Sequence, residues 1–274
     1  MWTGLLAVGL LATLAPSTGE NVRLVQNYPV VNAFVNGHGP FRMVVDTGAT
    51  TCSLHPRIAA RAGIKADYRI ALETFSETKI VFATRHTLVR VGEHSVSGVE
   101  FIVHPSNALR KLEPGIVGVL GQSFLNVAPW LLDFRSRRLY LGAEAEQMAE
   151  TLPPGIAFEW ISGRIALPAA FPGKLELWKL ILDSGTSSMI LSCSTECPNL
   201  LGLGPARINT TLGATEARSG VLSSINVAGK TIRSAETVLV SVAGARGAAG
   251  LLPASWFSAL YVDNARQLIR MRER

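Results

Sequence analysis

Two short motifs in matching surroundings constrain this chain more than any other feature. Asp46-Thr47-Gly48 follows an apolar run at 43–45, and Asp183-Ser184-Gly185 follows another at 180–182. One such tripeptide carries little information, but two of them, each closing a hydrophobic strand and lying about half a chain apart, are difficult to attribute to chance. The pair predicts two carboxylates that meet at the centre of a duplicated fold.

Other segments repeat at a similar spacing, which shortens gradually along the chain. The matching pairs are 91–96 with 227–232, 118–124 with 250–256, and 132–133 with 262–263. A few loop deletions in the second copy would explain this drift, whereas chance matches would give unrelated spacings. Asp133 and Asp263, which also match, are expected to be turn or strand-end residues rather than catalytic ones.

The composition favours a well-packed β-protein. Hydrophobic residues make up 48% of the 274 residues and charged residues only 17%, so a large core is expected and disorder is not. Short apolar runs are separated by glycine-marked turns, which is typical of an all-β architecture. Short helices are predicted only after the first motif, at 56–63, and at 121–127. Strands are predicted at 80–82, 88–91, 99–103, 131–134 and 138–141.

The sequence predicts that the chain divides into four segments. Residues 1–19 carry no charged side chain and contain an apolar stretch at 5–15, so a signal peptide and an exported protein, periplasmic or secreted, are expected. Residues 20–142 and 155–274 are the two predicted lobes, and 143–154 is a predicted linker. Cys193 and Cys197 are close enough to close a small disulfide loop, and Cys52 is expected to be buried and unpaired.

The twin carboxylates suit the hydrolysis of a peptide bond. Two carboxyl groups in close contact cannot both ionise, so they share one proton. The ionised one can take a proton from a water held between them, and the protonated one can donate to the reacting oxygen or the leaving nitrogen. Asp46 and Asp183 are therefore the candidate catalytic residues. Thr47 and Ser184 can tie the two loops together by hydroxyl hydrogen bonds, while Gly48 and Gly185 permit the sharp turns.

These segments resemble a known enzyme family. The run 44–50 resembles the active-site segment of retropepsin-like and pepsin-like aspartic proteases, and 182–187 resembles the second-lobe motif of the pepsin-like group. Val119-Leu120-Gly121 resembles the hydrophobic-hydrophobic-glycine element that packs under the active-site loop. The resemblance implies an all-β, bilobal pepsin-like (acid protease) fold, with two related β-barrel-like lobes and a cleft between them. It also implies an aspartic endopeptidase that prefers hydrophobic residues, with a flap within 72–84 closing over the substrate. Our main hypothesis is such an enzyme, acting as a monomer that supplies both carboxylates itself.

The chain departs from the family pattern in places that motivate alternatives. Pro253 replaces the glycine of the second hydrophobic-hydrophobic-glycine element, and no tyrosine lies in the expected flap, since Tyr68 precedes it. A catalytically inactive pepsin-fold protein that binds or inhibits through its cleft is therefore the main alternative. A further alternative is that each half pairs with a half from another chain.

No cofactor or metal is expected, because no second Cys or His pair completes a zinc ligand set. The formal charge is +6, and the basic residues are spread out except for four arginines near the end, 266–274. These are interpreted as a solvated terminal strand, so no nucleic acid is expected as a partner. The expected partner is a peptide or protein substrate, with no stable membrane span beyond the possible leader.

Overall fold

The structure is a computed structural model that describes residues 19–74, 78–192, 197–210, 212–241 and 247–274. Short strands dominate the described residues. In the first half the strands are β1 (Glu20–Asn21), β2 (Arg23–Val25), β3 (Tyr28–Val35), β4 (His38–Val45), β5 (Cys52–Leu54), β6 (Tyr68–Glu73), β7 (Thr78–Val91), β8 (His94–Val103), β9 (Ile116–Leu120), β10 (Trp130–Asp133) and β11 (Arg138–Leu141). In the second half they are β12 (Ile156–Ala157), β13 (Glu159–Ile161), β14 (Arg164–Ala170), β15 (Trp178–Asp183), β16 (Met189–Ser192), β17 (Leu201–Asn209), β18 (Ala214–Val227), β19 (Lys230–Val240), β20 (Gly250–Pro253), β21 (Phe257–Asp263) and β22 (Leu268–Glu273).

In the part of the chain that the structure describes, four short α-helices connect these strands. They are α1 (Pro56–Arg61), α2 (Asn107–Leu112), α3 (Gln122–Leu125) and α4 (Ala143–Ala149). Helices α1 and α3 confirm the two helices predicted from the sequence. Helix α4 lies in the expected linker and packs two buried alanines, Ala145 and Ala149, against the strands before it. Among the described residues, no helix has the length and apolar character needed to cross a membrane.

Two eight-stranded sheets form the lobes, and their strand orders correspond position by position. The first runs β2-β3-β4-β9-β5-β8-β7-β6, and the second runs β13-β14-β15-β20-β16-β19-β18-β17. An additional pairing, β3 with β7 in the first sheet and β14 with β18 in the second, curls each sheet towards a barrel. This is the all-β, two-lobed architecture that the motifs predict.

Glycine-containing turns set the register of the hairpins in both lobes. Asn36 and Gly37 both adopt positive φ between β3 and β4, as a tight two-residue hairpin requires. Ala228 and Gly229 do the same between β18 and β19. The strands predicted at 80–82 and 88–91 are wrong as separate elements, because they belong to one continuous strand, β7, which bends at a register irregularity near Thr87.

A third sheet joins the lobes beneath the cleft. Its order is β1-β11-β10-β21-β22-β12, and its central pair, β10 with β21, comes from the two halves of the chain. Buried side chains such as Trp130, Leu120 and Leu182 belong to one continuous core that extends through both lobes. Burial of apolar area on this scale is the main source of stability, and it fixes the lobes against each other.

The structure also bears on the predictions made for two further aspartates, the cysteines and the leader. Asp133 and Asp263 are strand-end residues, the last of β10 and β21, and their side chains accept hydrogen bonds from backbone N–H groups of the turns that follow. Cys52 is buried and free. Cys197 is disulfide-bonded, while Cys193, its expected partner, lies outside the described residues. The predicted leader also lies outside them, except for Gly19.

Candidate active site

Parallel strand pairs bring the two motif aspartates to the middle of the molecule. β4 ends one residue before Asp46 and runs parallel to β9, whereas β15 ends at Asp183 and runs parallel to β20. The Asp46 N–H donates to the Leu120 carbonyl at 2.9 Å, which fixes the start of the first loop. The two carboxyl groups hydrogen-bond to each other. The structure therefore unites the side chains that the sequence separates by half its length.

Reciprocal hydroxyl bonds tie the two loops together. The Thr47 hydroxyl donates to the Leu182 carbonyl at 2.8 Å and accepts from the Ser184 N–H at 3.0 Å. The Ser184 hydroxyl donates to the Val45 carbonyl at 2.7 Å and accepts from the Thr47 N–H at 3.0 Å. Both side chains are fully buried, so each of these four bonds is shielded from competing water.

The two motif glycines pack directly against the opposite carboxyl group. A Cβ added at Gly48 would lie 2.4 Å from Cγ of Asp183, and a Cβ at Gly185 would lie 2.5 Å from Oδ2 of Asp46. Only the absence of a side chain permits this approach. Each glycine N–H also donates to the Oδ1 of its own aspartate, at 2.9 Å for Gly48 and 2.6 Å for Gly185.

Burial raises the pKa of both carboxyls, and the charge of Asp46 adds to the rise at Asp183. For Asp46, burial raises the pKa, and hydrogen bonds from Asp183, Gly48 and Ala49 partly oppose the rise. For Asp183, burial and then the charge of Asp46 hold the pKa well above its usual value, opposed mainly by one bond from Gly185. Because Asp46 has more donors, this arrangement favours a proton on Asp183 and a negative charge on Asp46.

Sequence reasoning missed two side chains that flank the pair, Tyr28 and Arg164. The Tyr28 hydroxyl bonds to Ser187, and burial, followed by the charges of Asp183 and Asp46, raises its pKa. Burial lowers the pKa of Arg164, against the attraction of both aspartates and of Glu73. Each residue begins the strand that pairs with a motif-bearing strand, β3 or β14. That position relative to the motifs is the signal that could have revealed them.

Two hairpins reach towards the opposite lobe. The β6–β7 hairpin occupies the region where the resemblance places a flap, although 75–77, at its tip, lies outside the described residues. Glu73, at the end of β6, acts electrostatically on Arg164 of the second lobe. The β17–β18 hairpin is its counterpart, and its Asn209 accepts from Lys111 of the first lobe at 3.4 Å.

The support beneath the two motif loops differs between lobes. Below the first loop, the N–H groups of Gln122 and Ser123 donate to the Ala49 and Thr50 carbonyls at 2.8 and 3.1 Å. Gly121 permits this contact, since a Cβ there would lie 2.6 Å from the Thr51 carbonyl oxygen.

In the second lobe Pro253 occupies the position of Gly121. It is buried in β20 beside Asp183, with an extended backbone that a proline adopts without strain. In this fully described stretch, Ala254 and Ser255 make no equivalent backbone bonds to Thr186 or Ser187. The second loop is thus held by its strand and by the hydroxyl bonds, with less support from below.

Comparison with known proteins finds a similarity in the first lobe. Residues 31–127, which contain Asp46, Gly121 and the β6–β7 hairpin, match a family model described as "gag-polyprotein putative aspartyl protease". No curated protein matches the chain at a significant level. The matched segment of this two-lobed protein is therefore similar to aspartyl proteases, and that similarity supports a proteolytic function.

Proposed function

We propose that the protein is an aspartic endopeptidase that hydrolyses peptide bonds with a water activated between Asp46 and Asp183. The observation that carries this proposal is the hydrogen-bonded pair of carboxyls, held by two loops that are joined through Thr47 and Ser184. A site of this kind needs rigid placement of its groups, and buried reciprocal hydrogen bonds supply it.

The unequal surroundings of the carboxyls suggest a division of roles. Ionised Asp46 takes a proton from the water, whose oxygen attacks the carbonyl carbon, while the proton on Asp183 passes to the carbonyl oxygen. A neutral tetrahedral diol results. Asp46 then gives its proton to the nitrogen as the carbon–nitrogen bond breaks, and Asp183 regains a proton from a diol hydroxyl. The pair returns to its starting state with one shared proton.

Several finer features belong to the same proposal. The matched strand orders of the lobes support descent from a duplicated unit, with one carboxyl supplied by each copy. The chain acts as a monomer, because both aspartates belong to one polypeptide. We also propose export and a preference for hydrophobic residues around the scissile bond, with the β6–β7 hairpin closing over the substrate. Gly48 and Gly185 have no side chain, which allows the two carboxyl groups to come into contact.

Single substitutions at the carboxyl pair test the mechanism. Asp46→Asn and Asp183→Asn should each reduce kcat for a hydrophobic peptide at least about 100-fold, since each removes a proton-transferring group. Asp133→Asn is the matched control, because Asp133 only accepts turn hydrogen bonds away from the cleft. Cleavage would be followed by mass spectrometry of a peptide library. Near-normal activity in either motif variant would refute the shared-proton mechanism.

One observation favours a second candidate, a cleft that binds peptides without cutting them. The motif loop of the second lobe has Pro253 beneath it and lacks the backbone bonds that Gly121 permits in the first. Peptide binding without turnover at every pH tested, from acidic to neutral, would support this candidate.

A further inference from the structure

The two lobes place different side chains at the same position beside the carboxyl pair. In each lobe a strand pairs with the motif-bearing strand, and equivalent residues can be read from the register. The pairings are Val30 with Val44 and Ala166 with Ile181, where Val44 and Ile181 each lie two residues before the motif aspartate. Tyr28 and Arg164 each lie two residues before these partners, so they are structural equivalents. A phenol flanks one side of the carboxyl pair and a guanidinium flanks the other.

Of these two side chains, Arg164 is the one with unused hydrogen-bonding capacity. Tyr28 has a partner in Ser187. The Nε of Arg164 is buried and bonds to no described group. A guanidinium offers five N–H donors, and leaving one desolvated without an acceptor is unfavourable. The residue also sits at the interface between lobes, since a Cβ added at the preceding Gly163 would lie 3.7 Å from Cγ2 of Thr50 in the first motif loop.

The charges around Arg164 indicate which ligand it would accept. The carboxyl pair carries one negative charge when it shares a proton, and a second carboxylate, that of Glu73, comes from the hairpin of the opposite lobe. Glu73 thus brings a carboxylate that belongs to neither motif within electrostatic reach of Arg164. A planar guanidinium binds carboxylates in a forked geometry that a Lys or an uncharged group does not reproduce.

We infer that Arg164 is a specificity-determining residue that binds an acidic side chain of the substrate on one side of the scissile bond, in competition with the electrostatic attraction of Glu73. Tyr28 occupies the equivalent position on the other side, so the two halves of the cleft select different residues. The inference rests on the proposed endopeptidase function, and it adds a preference for an acidic residue at one position to the proposed preference for hydrophobic residues.

Paired peptides test this preference in the wild-type protein. The pairs have blocked ends and differ only in Glu or Gln at one position, scanned over four positions on each side of the scissile bond. We expect one position at which Glu gives about tenfold or higher kcat/KM than Gln, as a charge-assisted hydrogen bond allows. A second set of peptides with free C-termini is the control: a preference that appears only with the free C-terminal carboxylate, and not with the Glu side chain in the blocked peptides, would overturn the inference.

Variants of Arg164 then assign the preference to its side chain. The Glu-to-Gln ratio should fall to near one in Arg164→Gln, and Arg164→Glu should instead prefer Lys over Gln at the same position. Because the ratio is taken within one variant, a general change in the carboxyl pair cancels. Tyr28→Phe, at the equivalent position, should retain the wild-type ratio. Glu73→Gln should increase the ratio, because it removes the competing carboxylate.

The outcomes separate this inference from the proposed function. Robust cleavage by the wild type without any Glu preference would overturn the inference and leave the endopeptidase standing, as would a preference that Arg164→Gln retains. A ratio that stays the same or falls in Glu73→Gln would contradict the competition with Glu73. No cleavage of any peptide would overturn the proposed function and this inference with it.

Discussion

Removing the Ser184 hydroxyl should both destabilise the protein and separate the two motif loops. In Ser184→Ala the Val45 carbonyl loses its donor and the Thr47 N–H loses its acceptor. Both partners are deep in the structure, since Val45 and Thr47 are each 0% exposed, so water does not replace the lost bonds. The substitution removes a single oxygen and leaves almost no cavity, so the hydrogen bonds dominate its effect.

The size of the effect follows from the two groups left without partners. Each buried, unsatisfied group costs about 1–3 kcal/mol, so the free energy of unfolding should fall by about 2–6 kcal/mol. The catalytic effect has a separate cause. A misplacement of reacting groups by about 1 Å can cost roughly 100-fold in rate, so kcat should fall at least tenfold even where the variant is fully folded.

Ser123→Ala is the matched control for this experiment. The Ser123 hydroxyl also makes two bonds to backbone, donating to the Glu100 carbonyl at 2.8 Å and accepting from the Cys52 N–H at 3.0 Å. Both bonds lie within the first lobe. Ser123→Ala should therefore lose stability by a similar mechanism while retaining much more of its kcat.

Urea unfolding and steady-state kinetics on the same samples measure the two effects. A Ser184→Ala protein whose free energy of unfolding lies within about 0.5 kcal/mol of wild type, a range usual for surface changes, would refute the energetic reasoning. Equal fractional losses of kcat in Ser184→Ala and Ser123→Ala would refute the idea that the bonds between loops hold the carboxyls in place.

Three further outcomes follow from the same geometry. Asp183→Asn should stabilise the fold at neutral pH. Because the pKa of Asp183 is raised in the folded state, wild-type stability falls as pH rises from the unfolded pKa of 3.8 to the folded pKa. The loss is about 1.4 kcal/mol for each pH unit that separates the two pKa values. The higher melting temperature of Asp183→Asn relative to wild type should therefore disappear below pH 3.8. A difference in melting temperature that stays constant with pH would contradict this reasoning. Gly48→Ala should abolish cleavage, because its Cβ would meet Asp183, whereas Gly204→Ala, with only one atom at 4.0 Å, should be nearly neutral in activity and stability assays. Cys52 should resist alkylation at pH 8 in the folded protein, since burial raises its pKa to about 11; rapid labelling without unfolding would refute this.

Local patterns were sufficient to predict much of the fold. The twin motifs, the glycine turns and the short apolar runs predicted two all-β lobes because hairpin register depends on residues close together in sequence. The same patterns predicted helices α1 and α3. They missed α2 and α4. Helices of one or two turns depend on packing for their stability, and α4 lies in the expected linker, where it packs Ala145 and Ala149 against neighbouring strands. They also divided β7 into two strands.

The sequence by itself determined the chemistry of the candidate site: two Asp-Thr/Ser-Gly turns, with acids, hydroxyls and glycines in the order that a shared-proton pair requires. Tertiary structure decided what surrounds that pair. Tyr28 and Arg164 carry no motif, and only strand pairing places them beside the carboxyls. The unequal pKa shifts of Asp46 and Asp183 likewise depend on burial and on donors brought from both loops. Strand pairing, burial and the contact between the two carboxyls all involve groups distant in sequence, so they exist only after the chain has folded.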